Sequence, residues 1–285
     1  MNTQKTTGAN NKIMTPAPIY TPDNTRPVHK IRYGWSGWLN PGDGFPKNTG
    51  DAIHACIDPW RKDGLALDDW HTEDHRIQCL FTAATEVSPA LCASRAKGRL
   101  QYALRQQNTP VKFTRRVGLR SLGDNTREIV ARYLDGQVGK SDYVDPRFKD
   151  YLTQFTVENP EAVLNAPLRT GHGEYWYNLH LVSVVQDRRC PMTRDETLAT
   201  ARQTCFRIAR KHGHQIAELA IMPDHIHCSL RGNHEQSPLE IGLCFLNNLA
   251  YVLGYNRCWS EEFYVGTFSE YTVEAILRKW HARKQ

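Results

Sequence analysis

The chain has 285 residues, 40% of them hydrophobic, with 36 Lys and Arg against 30 Asp and Glu for a formal net charge of +6. That length suffices for one large or two small domains with buried cores. No apolar run approaches a membrane span and the N-terminal stretch lacks the apolar core of a signal peptide, so a cytoplasmic protein with no membrane partner is expected. The eight cysteines form no CxxC pair, which argues against a zinc ribbon or a disulfide framework. The positive charge is compatible with a polyanionic partner.

In chain order, residues 1–26 are polar and poor in apolar residues, and predict a mobile tail or an extended arm. A strand follows over "RPVHKIRYGWSGWL", then a helix that stops near Gly64, two strands bracketing a turn before "RIQC", and a helix opened by Ser88-Pro89, with Pro in the first turn where its missing N–H costs nothing. "NTREIVARYLDG" predicts a last helix, with Asn125 and Glu128 spaced as a cap. Residues 139–169 are charged and Pro-containing and read as a linker that wraps a surface. From residue 170 the order returns: a strand in "YWYNLHLVSVVQD", a helix ending near Gly213, two strands around "PDHIH", a helix opened by Ser237-Pro238, and a terminal helix in "TVEAILRKWHAR".

The return is also visible residue by residue. A shift of 149 positions aligns Cys56–Leu104 with Cys205–Leu253 without a gap, and 12 of the 49 columns are identical, where unrelated stretches would give about three. The chain is expected to hold two diverged copies of one α+β domain, residues 27–138 and 170–285, each an antiparallel sheet with segregated helices.

On a strand, positions i and i+2 share a face, so His225 and His227 present two imidazoles side by side, a geometry suited to a divalent metal. An isolated HxH is more often a surface pair or a core histidine with a satisfied hydrogen bond. Here a tight Pro-Asp turn feeds a strand central to its copy. His180, on "YNLHLVSVV", reads as structural.

"MPDHIHCSL", followed by a Ser-Pro-initiated helix and a terminal helix, resembles the HUH motif of the single-tyrosine transposases of the smallest bacterial insertion sequences. The resemblance covers both copies. It implies two ferredoxin-like, RRM-like domains packed as a pseudo-dimer in the bacterial cytoplasm, acting on single-stranded DNA that can include hairpin ends. It further implies Mg2+ or Mn2+ held by two histidines and a glutamine, and a helix tyrosine that forms a covalent 5′-phosphotyrosine.

The departures from that pattern are informative. In the second copy, Trp280 stands where the resemblance places the tyrosine and Lys284 where it places the glutamine. The first copy supplies Tyr133 and Gln137, spaced i, i+4 as on one helix face, but has Arg76 and Gln78 in place of the two histidines. Each copy keeps the half that the other lost. In the family a tyrosine helix of one subunit can complete the metal site of the other. The reciprocal losses therefore imply one composite site, with Tyr133 as nucleophile and His225, His227 and Gln137 as metal ligands. The second site, with Arg76, Gln78 and Trp280, is expected to be dead. Independent decay would be expected to spoil both.

A phenol, with a pKa of about 10, is a weak nucleophile at neutral pH and needs activation or an activated electrophile. A metal on the scissile phosphate would supply that, and the released 3′-hydroxyl could reverse the step. Arg95, Lys97, Arg99, Arg115, Arg116, Arg120, Arg127 and Arg132 are candidates to track a DNA backbone. Trp35, Trp38, Phe263 and Tyr264 are candidates to stack on unpaired bases, although such aromatics also build cores. The competing readings are a non-catalytic DNA-binding protein that keeps the fold, and a structural metal-binding protein. The latter does not account for the reciprocal losses.

Overall fold

The computed structural model describes residues 17–107, 111–140, 146–254 and 257–282. Lys284 and the first sixteen residues of the expected tail lie outside them. The first half runs through strands β1 (Arg26–Lys30) and β2 (Arg32–Leu39), helix α1 (Thr49–Lys62), β3 (Leu65–Glu73), β4 (Arg76–Ala83), α2 (Pro89–Gln106), β5 (Phe113–Leu122) and α3 (Arg127–Asp135). A connecting region carries α4 (Pro146–Thr153), β6 (Thr156–Glu158) and β7 (Leu168–Arg169). The second half repeats the order with β8 (Gly173–Trp176), β9 (Asn178–Val185), α5 (Asp195–His212), β10 (Gln215–Met222), β11 (His225–Arg231), α6 (Pro238–Leu253), β12 (Trp259–Phe268) and α7 (Val273–Ala282).

Two six-stranded sheets result, ordered β3-β4-β2-β5-β8-β7 and β10-β11-β9-β12-β1 with β6 on the outer edge of β10. Four strands of each, β3-β4-β2-β5 and β10-β11-β9-β12, are antiparallel and follow the same order in both halves. α1 and α2 pack together beside the first sheet, α5 and α6 beside the second, and one buried apolar cluster runs through both layers. Local chemistry explains the helix ends. Ser88 and Ser237 accept the backbone N–H of Leu91 and Glu240, each at 3.2 Å, and a proline follows each serine. Gly213 closes α5 in the left-handed region, φ 73°, which a side chain would resist.

The single strand expected at the start of each half is two strands on different sheets. β1 leaves its own half to run parallel to β12, and β8 runs parallel to β5. The switch points are Ile31 and Tyr177, both almost fully buried, so burying one large side chain breaks each strand at the change of sheet. Part of the stretch expected as a mobile tail or an extended arm is held in place. Asn247 accepts the N–H groups of Ile19 and Tyr20 at 2.8 and 2.9 Å, and the Tyr20 hydroxyl reaches the backbone of Trp259, so this stretch is docked. In the connecting region β6 pairs antiparallel with β10 at the edge of the second half's sheet.

The last helices are exchanged too. α3 packs on β10 and β11 of the second half, with Val130 and Leu134 clustered with Ala217 and Phe268. α7 lies on the first half's sheet, where Val273 and Trp280 cluster with Leu80 and Leu122. The two chain segments cross at Gly123, whose backbone bridges to Thr272, and at Thr126, which bridges to Ser269. A Cβ on Gly123 would lie 2.2 Å from the Thr267 carbonyl oxygen, so only glycine lets the backbones meet there. Thr267 Oγ1 donates to the Leu122 carbonyl, and Ser121 Oγ donates to that of Phe268, which pins the crossing from both sides.

Candidate active site

The tight turn at Pro223-Asp224 delivers β11 with His225 and His227 on one sheet face, their ring centroids 5.0 Å apart. α3 lies over this face and brings Tyr133, 45% exposed, to 5.3 Å from the His227 ring. Nucleophile candidate and histidine pair thus meet across the two halves, more than 90 positions apart in sequence. The Lys140 ammonium sits 3.5 Å from the centre of the Tyr133 ring, close enough for a cation–π contact that holds the phenol in place.

Each histidine has its Nδ1 engaged. Asp224 Oδ1 lies 2.6 Å from His225 Nδ1, and His180 Nε2 lies 3.2 Å from His227 Nδ1. With Nδ1 carrying the proton toward those partners, each Nε2 is left with a lone pair, the arrangement in which neighbouring groups orient metal-ligating imidazoles. Burial pushes His227 down to about 2, and the neighbouring His180, His225, Lys140 and Arg188 add to it. Burial alone pushes His180 down to about 4. Both are therefore neutral at physiological pH, as ligation requires. Burial works against the charge on Asp224, but the hydrogen bonds from His225 and Arg188 outweigh it and hold the carboxyl below its usual range.

Gln137 departs from the expected helical position. Gly136 caps α3 after Asp135, and Gln137 falls one residue beyond, buried, its amide nitrogen donating to the Tyr133 carbonyl at 2.6 Å. The amide oxygen remains the acceptor end of this side chain. The expected Asn125 cap is replaced by Thr126 as N-cap. Among the described residues no group of three or more His, Cys, Asp or Glu side chains is disposed to hold a metal ion. A metal at His225 and His227 would take further oxygen ligands from Gln137, water or substrate.

His180, read from sequence as structural, stands inside the site. Its ring centroid is 5.9 Å from that of Tyr133 and 5.6 Å from that of Tyr264. The signal available was its position on a strand central to the copy; its cross-strand neighbour was not legible. Glu218, whose carboxyl is raised by burial while the Ser229 hydroxyl donates to it at 2.7 Å, lies farther along the same sheet face.

The reciprocal position is built differently. Arg76 pairs with Glu73, Gln78 reaches Ser36 Oγ at 3.4 Å, and Trp280 stacks on His71 with centroids 6.2 Å apart. The candidate backbone-tracking cations do not form one surface. Arg99 is held by Asp63 through two hydrogen bonds of 2.8 and 3.0 Å, Arg95 bonds the Asp63 carbonyl, and Lys97 bonds the Thr114 carbonyl at 2.7 Å. Arg115 lies with Lys97 on the α2 side of the sheet, whereas Arg116 and Arg120 face α7, and Arg127 and Arg132 ride on α3. α2 stands against one face of that sheet and α7 against the other, so alternating residues of β5 are parted. Of the four aromatics considered for stacking, Trp35 and Phe263 are buried in the core, Tyr264 borders His180, and Trp38 alone lies under an arginine, Arg116.

Residues 174–242 match the family model described as "Transposase IS200 like", a stretch that runs from β8 into α6 and contains the Pro223–His227 turn and histidines. A candidate transposase from Deinococcus radiodurans R1 is similar in structure at 18% identity, with 41% of this chain and 98% of that one covered and a TM-score of 0.33. A REP-associated tyrosine transposase bound to a REP hairpin aligns at 10% identity over 44% of this chain and 67% of that one, with a TM-score of 0.30. No curated protein matches the chain. The matched stretch, which holds the histidine pair, is thus similar to the IS200-like transposase family.

Proposed function

We propose that the protein cleaves and rejoins single-stranded DNA through one composite active site, with Tyr133 as nucleophile. The observation that carries this reading is the Tyr133 ring standing against His227 while Trp280, at the equivalent place, stands against His71. An indole has no nucleophilic oxygen, so only the first arrangement can open a phosphodiester.

In the proposed step the Tyr133 oxygen bonds to phosphorus, the bond from phosphorus to the 3′-oxygen breaks, and the phenol proton passes through solvent to the departing 3′-hydroxyl. The 5′ side stays on the enzyme as a phosphotyrosine ester. Attack by a 3′-hydroxyl on that ester reverses the balance and frees the phenol, so strand transfer needs no nucleotide cofactor. Mg2+ or Mn2+ would be held by His225, His227 and Gln137, and would polarise the phosphate and offset its developing charge. Asp224 and His180 orient the two imidazoles. Lys140 holds the phenol and adds positive charge beside the incoming phosphate.

The test is incubation of the full chain with 3′-end-labelled single-stranded DNA and Mn2+, followed by denaturing electrophoresis. A label that stays on the protein is expected for the wild type and for Trp280→Phe, and no label for Tyr133→Phe. An adduct that persists in Tyr133→Phe overturns the reading.

A further inference from the structure

The sheet face beneath α7 carries chemistry that cleavage at Tyr133 does not use. Between α7 and β2, β4, β5 and β8 lies a cavity of about 480 Å3, half open to solvent, at the position reciprocal to the active site. Its floor is narrow-sided: Gly34, Ser36 and Gly118 occupy adjoining strand positions. A Cβ on Gly118 would lie 3.1 Å from the Trp38 ring, so the missing side chain lets that indole lie down on the sheet. Trp38 and Trp176, on β2 and β8, are both half-buried. Arg116 stacks over Trp38 at 4.8 Å and Arg120 over Trp176 at 4.2 Å, and Arg120 is fixed by Glu270 at 2.6 Å.

Cations outnumber carboxylates on this face by one, four against three. Arg76, Arg116, Arg120 and Lys279 line the cavity against a single carboxylate, Glu174. Glu73 and Glu270 pair with Arg76 and Arg120 from the rim. That leaves Arg116 and Lys279, both exposed, as the cations turned toward solvent, with Glu174 3.9 Å from Arg116. An open sheet face with flat aromatic rings set among guanidinium and ammonium groups matches the chemistry of an unpaired strand: bases stack on the rings and phosphates meet the cations. A duplex hides its base faces and would gain only the charges.

We propose that this face binds a segment of single-stranded DNA without cutting it, Trp38 and Trp176 stacking on bases and Arg116 and Lys279 meeting phosphates. The proposal rests on the reading that the substrate is single-stranded DNA, and assigns the catalytically silent half of the molecule the task of holding it. Losing the histidines and the tyrosine removes cleavage here while leaving a shaped, cationic surface.

The experiment is an anisotropy titration of the full chain with fluorescein-labelled oligodeoxythymidylate in EDTA, where binding is read without turnover. Trp38→Ala and Trp176→Ala are each expected to weaken binding about tenfold. Arg116→Ala and Lys279→Ala should each reduce the slope of log affinity against log salt by about 0.7. Trp176→Ala also removes an indole N–H that donates to the Asn165 carbonyl, so Trp176→Phe, which keeps a ring but not that bond, separates stacking from folding. Affinity retained in the Phe variant supports stacking; affinity lost as in the Ala variant overturns it. Inorganic polyphosphate, which has no bases, should bind the tryptophan variants as it binds the wild type, and a loss there also overturns the stacking assignment. If the wild type forms the Tyr133 adduct and every groove variant binds DNA unchanged, the groove proposal falls and the catalytic reading stands. If the groove variants lose binding and no adduct forms, the reverse holds.

Discussion

The two reciprocal faces of this molecule share a strand order and a crossing helix but differ in what each can do to a phosphodiester. On the second half's sheet, three histidines and a tyrosine meet, and each ligand candidate has its Nδ1 tied to a neighbour. On the first half's sheet the same strand positions carry Arg76, Gln78 and Gly34, and the crossing helix brings Trp280. The former face offers imidazole lone pairs and a phenol, the latter cations, amides and rings. The exchange of the last helices sets α3, with Tyr133, over the second half's sheet and α7, with Trp280, over the first half's, so each face takes its crossing helix from the other half. On the proposed reading, Tyr133 and the histidine pair would form one whole site between them.

The largest expected effect is at the nucleophile. Tyr133→Phe should reduce adduct formation by roughly 10³-fold or more, because the covalent step has no other oxygen to use. Trp280→Phe should leave the rate per folded chain unchanged. Equal losses in the two variants would erase the distinction between the faces. Next come the ligand candidates and their supports. His225→Ala and His227→Ala should each abolish Mn2+-dependent labelling, whereas Asp224→Asn should raise the Mn2+ concentration for half-maximal labelling by about 10–100-fold, as loss of an orienting partner does. The metal titration separates these from a fold defect, which would lower the plateau without moving its midpoint.

The packing of the silent face gives a third effect of a different kind. Trp280 is 5% exposed and packs against Leu80, Leu122 and His71, so Trp280→Ala should cost about 3–5 kcal/mol of stability, read by urea denaturation. Trp280→Phe should recover much of it. Gly123→Ala tests the crossing itself. Its added methyl meets the Thr267 carbonyl, and relief of that clash must separate the two crossing segments. Tyr133 would then be displaced from His227, so adduct yield should fall even in chains that remain folded by circular dichroism.

Much of this was legible before any coordinates. The recurring order of elements and the Ser-Pro helix starts lie in the order of residues, because local periodicity and spacing carry them. What the sequence hid is where a strand changes sheets. "RPVHKIRYGWSGWL" alternates well enough to read as one strand, and only the burial of Ile31 between the sheets breaks it. His180 was hidden for a similar reason: its neighbour His227 comes from a cross-strand diagonal, a relation fixed by register rather than by spacing. Gln137 lies beyond α3 because i, i+4 spacing assumes a continuing helix and Gly136, a natural helix stop, ends it. The candidate cations were grouped by their nearness in sequence, although residues 115 and 116 sit on opposite faces of one strand.

The smallest expected effect distinguishes the faces by acid. Burial lowers His180 and His214 to about 4 from an ordinary value of 6.5, and both belong to the second half. Above pH 6.5 neither folded nor unfolded chain protonates them, and their contribution to stability is complete. As pH falls from 6.5 toward 4 the unfolded chain takes up protons that the folded chain refuses, so stability is lost, by at most about 1.4 kcal/mol per pH unit for each proton. His227, lowered to about 2, extends the same loss to more acid conditions. The equivalent positions on the other face hold Arg76 and Gln78 in place of His225 and His227. Hydrogen exchange at pH 7, 5.5 and 4.5 should therefore show β9, β10 and β11 losing protection before β2, β4 and β5. Uniform loss across both sheets would mean that the histidine face is no more acid-sensitive than its counterpart, and the electrostatic half of the comparison would fail.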